Sequence, residues 1–330
     1  MSADGSDGAR RVGVRDVARV AGVSAQTVSR VINDHPNIRE DTRRRVREAM
    51  VALGYRVNNA ARALGTATTR VLGVVASDAT LYGPAVGIAA VEAAARAQGR
   101  WISTAYTDAR DEASVADAVE HMLAQGVDGL ILVAPHARTA ALLSAARLRV
   151  PLAALHDGPG ARRQEEGAAL VVAHLVGLGH RRIARIGGPT DWIDERSRAA
   201  GFAGALAARG LEPGPGWTGD WSAEAGARLA AEVAASVRAA GGPTAVVVAN
   251  DQMALGLMAG LDAAGVDVPG EVSVTGFDDN PDAAYYRPAL TTVRLDIAGE
   301  AARCVAAALG ADEPSPAPAE LVVRASTAPV

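Results

Sequence analysis

In the first part of the chain, apolar residues recur every three or four positions in residues 14–21, 25–33 and 40–53. This spacing predicts three amphipathic helices. A tight turn separates the first two, and Ser24 at its end is a good N-cap for the second. Gly54 stands where the C-terminus of the third helix favours glycine. The pattern therefore predicts a helix-turn-helix unit closed by a third helix.

From Val71 onward, short apolar runs alternate with longer, alanine-rich helical stretches. The apolar runs predict strands at residues 71–75, 101–105, 129–133, 151–155, 182–187, 245–249 and 272–277. Helical stretches between them include residues 84–98, 112–125, 194–209 and 251–264. This alternation predicts parallel sheets covered by helices. Because the scheme occurs twice, we expect two α/β lobes, with a ligand in the cleft beyond the carboxyl ends of the strands.

Charge divides the chain at about the same place as the pattern does. Residues 1–66 hold 12 arginines against 7 acidic residues, whereas residues 67–330 hold 21 arginines against 30 acidic residues. A basic head on an acidic body indicates that the head meets a polyanion and that the body does something else.

Several classes of protein are disfavoured by what the sequence lacks. The single cysteine, Cys304, excludes an internal disulfide. No signal peptide or membrane span is evident, so the sequence predicts a cytoplasmic protein with no membrane partner. Phosphate-loop, nucleophile-elbow and zinc motifs are also missing, and the six histidines show no metal-ligand spacing. We therefore expect no cofactor, no metal and no enzymatic activity.

The second predicted helix carries side chains suited to DNA on the face opposite its apolar residues. In a major groove, Gln26 could bond an adenine edge and Arg30 a guanine edge. Ser24, Thr27 and Ser29 are better suited to phosphates, which position a domain without reading sequence. The alternative is a three-helix bundle with a merely polar face. Turn, cap, core and base-reading residue types all agree on DNA binding, which favours that interpretation.

The strings VRDVARVAGVSAQTVSRVIN at residues 14–33 and TRRRVREAMVALGYRVNNAARAL at 42–64 closely resemble the head of the LacI family of bacterial regulators. The resemblance implies that residues 58–64 form a hinge helix. Two such helices would lie together in the minor groove, with Leu64 wedged between base pairs. The expected DNA-binding residues are Arg15, Ser24, Ala25, Gln26, Thr27, Ser29, Arg30, Asn33, Asn58, Ala61 and Leu64.

Three head positions depart from the repressor that gives the family its name. Arg15 and Ala25 stand where that repressor has tyrosines, and Arg39 occupies the usual serine cap of the third helix. The alanine removes a base-contacting side chain. We therefore expect a different operator sequence.

Pairs of polar residues follow four of the predicted strands in the body. They are Ser77 and Asp78, His156 and Asp157, Asn250 and Asp251, and Asp278 and Asp279. Each pair alone could simply cap a helix or lie in a loop. Four pairs at strand ends converge on one cleft edge, and carboxylates and amides are groups that bond vicinal hydroxyls. Trp221 could lie against the apolar face of a sugar.

The resemblance extends into the body through AHLVGLGHRRIARIGGP at residues 173–189, GDWSA at 219–223 and VANDQMALG at 248–256. It implies an effector pocket that contains Ser77, Pro84, His156, Arg198, Trp221, Asn250 and Asp278. A galactoside-like sugar is favoured over purines or ribose. His156, Leu295 and Ile297 replace an aspartate, a glutamine and an aromatic residue of the family pattern, so another sugar stays open.

Together these features predict an N-terminal all-α helix-turn-helix domain at residues 12–57, after a disordered tail at 1–11. A hinge helix at 58–66 precedes a two-lobed, periplasmic-binding-protein-like α/β core at 67–330. We expect the lobes to comprise residues 70–157 with 290–318, and residues 158–289 with 319–330.

The sequence ends without a leucine-repeat helix of the kind that makes tetramers, so a homodimer is expected, with double-stranded operator DNA and a sugar as its other partners. The predicted function is a repressor that a sugar releases from a palindromic operator. Corepression or activation stays open. The body alone would also suit a solute-binding transport protein, but the head and the missing signal peptide disfavour that alternative.

Overall fold

The computed structural model describes residues 12–33, 35–56, 68–108, 111–146 and 148–330. The chain divides into two compact units, Met1–Thr69 and Arg70–Val330. We call the first the head and the second the core, and we describe each by itself.

The head contains three helices, α1 (Val14–Ala21), α2 (Ala25–Ile32) and α3 (Glu40–Ala52). The three helices enclose a small apolar core. Each contributes one fully buried valine to it: Val17, Val28 and Val46. All three predicted helices are present, and α2 and α3 end one residue earlier than the pattern indicated.

The ends of the head helices follow from local chemistry. Gly22 closes α1 with φ of 65°, a left-handed conformation that suits glycine. The Ser24 hydroxyl caps α2 by accepting the backbone N–H of Thr27 at 3.1 Å. At the start of α3, the Arg39 side chain makes no capping hydrogen bond within the described residues.

The first lobe of the core is built on a four-stranded parallel sheet in the order β2-β1-β3-β4. Its strands are β1 (Val71–Ser77), β2 (Trp101–Thr107), β3 (Gly129–Val133) and β4 (Leu152–Ala154). The helices between them are α4 (Tyr82–Ala97), α5 (Glu112–Ala124) and α6 (Ala137–Ala145). Because β1 lies between β2 and β3, Leu72 pairs with both Ile102 and Gly129.

The second lobe repeats this plan with the order β6-β5-β7-β8. Its strands are β5 (Ile183–Gly187), β6 (Gly216–Thr218), β7 (Ala245–Val248) and β8 (Ser273–Thr275). Its helices are α7 (Pro159–Gly177), α8 (Ile193–Ala207), α9 (Ala223–Arg238) and α10 (Asp251–Ala263), with a 3₁₀ turn at Pro281–Tyr285. Strands such as β3 and β7 are buried along their whole length, as expected when helices cover both faces of a parallel sheet.

The chain passes between the lobes three times. Helix α11 (Ile297–Ala308) packs on α4, β3 and β4 of the first lobe. The strands before and after it, β9 (Thr292–Arg294) and β10 (Glu320–Val322), pair antiparallel and pack on α7 of the second lobe. The predicted fold class is confirmed. The predicted residue bounds of the lobes remain a proposal. They assign residues 290–318 to the first lobe, whereas the packing on α7 places β9 with the second lobe.

Candidate DNA-binding face and effector cavity

The outer face of α2 is polar and open to solvent. Ala25, Gln26, Ser29 and Arg30 are exposed, whereas Val28 and Val31 on the other side are buried in the head core. Positions 26 and 30 are four residues apart, so their side chains are neighbours on one helix face. Both predicted base-reading side chains are therefore free to reach a groove together.

The remaining predicted residues of the head surround the start and end of α2. The hydroxyls of Ser24 and Thr27 lie 2.9 Å apart. Arg15 is exposed on α1, and Asn33 is the C-cap of α2. The first turn of α2, all of which is described, holds no acidic residue. The positive end of the helix dipole is therefore uncompensated, which suits an approaching phosphate.

The predicted hinge contacts Asn58, Ala61 and Leu64 lie outside the described residues. They remain predictions.

The core contains an open cavity, a cleft at the carboxyl ends of the strands of both sheets, with about 630 Å³ of empty space when its open mouth is included. Residues from both lobes and from the crossing after β9 line it. They are Leu81, Tyr82, Gly83, Pro84, Val86, His156, Trp192, Asp194, Arg198, Trp221, Asn250, Gln252, Asp278, Leu295 and Ile297. Ligands of open α/β sheets bind at this edge.

Arg198 and Asp278 form a buried ion pair in the wall of the cavity. Nη2 of Arg198 donates to Oδ1 of Asp278 at 2.9 Å, and Nε donates to Oε1 of Gln164 at 2.7 Å. The guanidinium also lies over the Phe277 ring, 4.0 Å from its centroid. Burial raises the pKa of Asp278, and the Arg198 charge opposes that rise. The pair is thus held in one geometry from several sides.

Asn250 connects two cavity elements. Its Oδ1 accepts the backbone N–H of Met253 at 2.9 Å and so caps α10, while Nδ2 donates to the backbone oxygen of Trp221 at 3.0 Å. The side chain is buried. The asparagine is therefore both a helix cap and a brace that fixes the position of Trp221.

Two buried polar atoms of cavity-lining residues have no hydrogen-bond partner among the described residues. They are Nε1 of Trp221, a donor, and Oδ1 of Asp194, an acceptor. Leaving such groups unpaired costs on the order of 1–3 kcal/mol each. A ligand that offers both an acceptor and a donor would satisfy them.

Aromatic rings form one wall of the cavity. The Trp192 and Trp221 rings lie 5.4 Å apart between centroids and are tilted by 59°. A Cβ at Gly188 would collide with the Trp221 ring, so glycine at this position lets the ring lie flat against the backbone. The two indoles thus present apolar surface to the same space as the polar atoms.

Backbone strain is concentrated around the cavity. His156, Trp221 and Asp278 have φ of 63°, 73° and 107°. Non-glycine residues adopt such values rarely, at a cost on the order of 1–3 kcal/mol each. The surrounding contacts hold these residues in place, as is common where side chains are aimed at a ligand.

The structure brings together six of the seven predicted effector residues. Pro84, His156, Arg198, Trp221, Asn250 and Asp278 all line the cavity, but the seventh, Ser77, is not among the lining residues. It ends β1 with its hydroxyl 3.3 Å from that of Thr107 on β2. It is still paired with Thr107 within the sheet.

The second residues of two of the predicted polar pairs, Asp251 and Asp279, serve the scaffold instead. Asp279 accepts hydrogen bonds from Arg294 at 2.7 Å and from Arg324 at 2.6 Å. Asp251 is buried and accepts from Thr292 and from the backbone N–H of Asn280. Burial, with the nearby charge of Asp278, raises the pKa of Asp251 to about 8. These aspartates tie the cavity loops to the strands that cross between the lobes.

Among the lining residues that were not identified from the sequence, four carry polar or aromatic side chains: Tyr82, Trp192, Asp194 and Gln252. Trp192 directly follows the loop after β5, and Asp194 lies in the first turn of α8. Both lie just past the end of a strand, as do the polar pairs identified from the sequence.

The described part of the chain offers neither a metal site nor a membrane-spanning helix. No group of histidine, cysteine or acidic side chains there could hold a metal ion. In the same ranges, no helix is long and apolar enough to cross a bilayer.

Comparison with known proteins agrees with both parts of this architecture. Residues 13–58 match the family described as bacterial regulatory proteins, lacI family, and residues 172–327 match a periplasmic binding protein-like domain. The lactose operon repressor of Escherichia coli (strain K12) is 35% identical over 288 residues, which cover 85% of this chain and 79% of the repressor. The regulator GalR of the same organism is 34% identical and covers 92% of this chain and 90% of its own.

A solved structure resembles the whole chain. The crystal structure of the lac repressor dimer bound to operator and the anti-inducer ONPF has a TM-score of 0.81 at 33% identity, covering 97% of this chain and all of the other. These matches also confirm the prediction that the chain is not an enzyme. The chain belongs to the lacI family of bacterial regulatory proteins and is a DNA-binding transcriptional repressor.

Proposed function

We propose that this repressor is released from a palindromic operator when a neutral sugar, galactoside-like in shape, binds in the core cavity. One observation carries this proposal: residues that line the same cavity supply an unsatisfied donor, an unsatisfied acceptor and two indole rings. A pyranose offers hydroxyls that both donate and accept, together with an apolar face for a ring.

The charged side chains of the cavity wall restrict the chemical class of the effector further. Arg198 is already paired with Asp278, whereas Asp194 adds a carboxylate that has no partner in the described residues. An anionic ligand would meet this charge without a compensating cation, and like-charge contacts are costly. A neutral hydroxylated ligand therefore fits better than a sugar phosphate or a sugar acid.

The relatives support the choice of galactosides. The most specific motif matches, GDWSA and VANDQMALG, contain Trp221 and Asn250 of this cavity. The lactose operon repressor and GalR cover most of the chain at 35% and 34% identity. Leu295 and Ile297 make the floor of the cavity apolar, which favours an effector with an apolar aglycone.

The mode of DNA binding follows from the head. Gln26 and Arg30 would read base edges in the major groove, while Arg15 and the start of α2 would contact phosphates. We propose that the hinge residues Asn58, Ala61 and Leu64 add minor-groove contacts. The protein would then act on chromosomal DNA in the cytoplasm.

A homodimer would match the two halves of such an operator. Large apolar side chains are exposed on both lobes: Trp101 and Tyr106 on β2, and Leu255 and Tyr285 on the second lobe. Clusters of exposed aromatic and aliphatic side chains mark protein interfaces. We propose that a second copy of the chain covers them.

A gel shift tests the proposal, with the full-length protein on DNA from upstream of its own gene and a panel of sugars. We expect release by methyl β-D-galactoside or lactose, and no release by ribose, hypoxanthine or galacturonate. Release by galacturonate alone would overturn the neutral-sugar assignment. Failure to bind any upstream fragment would overturn the operator assignment.

A further inference from the structure

A histidine outside the cavity lies between the two lobes. His136 follows β3 in the first lobe, and its side chain is only 4% exposed. Its Nδ1 is 2.9 Å from Oδ2 of Asp191 in the second lobe, and its Nε2 is 3.4 Å from Oδ2 of Asp78, which follows β1. Ionised carboxylates only accept hydrogen bonds, so a ring that bonds both must donate from both nitrogens. Only the imidazolium form can do so.

Backbone hydrogen bonds join the lobes at the same point. The N–H of Ala137 donates to the backbone oxygen of Asp191 at 2.7 Å, and the N–H of Ile193 donates to that of Pro135 at 3.2 Å. His136 and Trp192 thereby form an antiparallel bridge between the first and second lobes. The contact is a short strand pairing, with the histidine side chain as its polar centre.

The same histidine contacts the aromatic wall of the cavity. The His136 ring is 5.1 Å from the Trp192 ring between centroids, and Trp192 in turn contacts Trp221. Both tryptophans line the cavity, whereas His136 does not. His136 would therefore act on a ligand only through the position of Trp192.

The charges around His136 favour its protonated form. Burial lowers its pKa, but the hydrogen bonds and charges of Asp78 and Asp191 outweigh burial and raise the pKa overall. The His136 contact in turn helps to hold the pKa of Asp191 below its usual value against the effect of burial, with help from Arg138. Arg138 itself lies within ion-pair range of Glu112. Two carboxylates thus face the ring from two elements, with one arginine nearby.

We infer that His136 is a positioning residue: as an imidazolium it clasps Asp191 across the lobes, holds Trp192 in the cavity wall, and so makes effector affinity depend on pH. This inference rests on the proposed effector site. When the ring loses a proton, one of the two hydrogen bonds is lost, and the lobe arrangement with an intact aromatic wall becomes less populated. Apparent affinity falls in proportion to the population of the competent arrangement.

The test compares the wild type with His136→Asn, Asp191→Asn and the control His121→Asn, which removes an exposed histidine from α5 of the first lobe. Tryptophan fluorescence reports binding of methyl β-D-galactoside at pH 6 and at pH 8.5. We expect wild type and His121→Asn to bind at least about fivefold more tightly at the lower pH, a coupling of ordinary allosteric size. His136→Asn and Asp191→Asn should bind weakly at both pH values.

A second readout needs no sugar. Because an imidazolium in ring contact quenches indole emission, the fluorescence of the unliganded protein should titrate with His136. That titration should disappear in His136→Asn, persist in His121→Asn and shift to lower pH in Asp191→Asn. If the titration follows this pattern but no galactoside binds, the effector assignment fails and the clasp stands. An unchanged titration in His136→Asn, or sugar binding with the wild-type pH profile in that variant, would overturn the clasp.

Discussion

At the scale of single residues, the DNA-binding face of the head and the cavity of the core use side chains differently. The side chains of Gln26 and Arg30 are exposed on α2, and no described neighbour on the same face of that helix holds them in place. Arg198 is buried, Asp278 is largely buried, and the two are paired with each other. Gln26 and Arg30 are thus available to bind DNA bases. Arg198 and Asp278 are already held in position before a small ligand binds.

Replacing Gln26 or Arg30 by alanine should each cost about 1–3 kcal/mol of discrimination at one operator position. The reason is that each side chain can form two hydrogen bonds to one base edge. Quantitative gel shifts on the operator and on single-base variants measure this discrimination. The matched control is Arg44→Ala, which removes an exposed arginine of α3 that pairs with Asp41. It should leave the ranking of the operator variants unchanged, and an unchanged ranking in Gln26→Ala and Arg30→Ala would contradict the assignment.

Replacing Arg198 by alanine should lower the free energy of unfolding of the core by about 3–5 kcal/mol, because it leaves the Asp278 carboxylate buried without its partner. Urea unfolding of the full-length protein measures the loss. Arg196→Ala removes an exposed arginine from the same helix and should change stability by less than about 0.5 kcal/mol. Equal effects of the two substitutions would argue that the ion pair does not organise the cavity.

At the scale of elements, helix ends and strand ends place the functional side chains. The Ser24 cap begins α2 directly before its exposed face. The Asn250 cap begins α10 and fixes Trp221. Asp251 joins the start of α10 to β9 through Thr292 and to the 3₁₀ turn through Asn280. Local capping chemistry therefore determines where both binding surfaces lie.

Ser24→Ala should lower the local stability of α2 by about 1 kcal/mol, the usual value of an N-cap. Arg39→Ser should raise that of α3 by a similar amount, because the start of α3 lacks a capping side chain in the described structure. Amide hydrogen exchange of the full-length protein resolves the two helices separately. If Arg39→Ser failed to slow exchange in the first turn of α3, the interpretation of that helix end would be wrong.

Asp251 should make the core less stable as the pH rises. Its pKa is raised from about 3.9 in the unfolded chain to about 8 in the folded core, so the folded state binds the extra proton. The stabilisation is complete below the unfolded pKa and is lost as the pH rises to about 8. Comparison of urea unfolding at pH 4 to 8 should show a shallower decline in Asp251→Asn than in the wild type. Asp262→Asn, on the exposed side of the same helix, should keep the wild-type slope.

Helices and buried strands were predictable because their periodicity spans many residues. The three helices of the head and the central strands β1, β3, β5 and β7 follow the pattern within a few residues. Strands β6, β9 and β10 have three residues each and, unlike the equally short β4 and β8, each includes an exposed residue, so no apolar run marks them. They are specified by pairing with distant parts of the chain.

The pattern of polar residues at strand ends identified three cavity-lining side chains, His156, Asn250 and Asp278, but it could not resolve side-chain direction. It proposed Ser77 and His156 on equal grounds, yet only His156 lines the cavity. The difference arises because Ser77 is still paired within β1, whereas His156 has left its strand with a positive φ. The clasp at His136 was also invisible in sequence, since its partners lie 58 and 55 residues away.

At the scale of the whole molecule, DNA binding by the head explains the uneven distribution of charge along the chain. The segment that contains the head is rich in arginine, which suits a polyanion, while the acidic remainder avoids nonspecific attraction to DNA. In the proposed function, effector binding in the core alters DNA binding in the head. Such coupling between two sites is reciprocal as a matter of thermodynamics.

The most direct test of this account measures effector affinity with and without bound operator. Tryptophan fluorescence gives the dissociation constant for methyl β-D-galactoside on the free full-length protein and on its operator complex at one pH and salt concentration. We predict that operator weakens sugar binding at least about fivefold, by the same factor by which the sugar weakens operator binding. Equal sugar affinity in the two states would contradict the account.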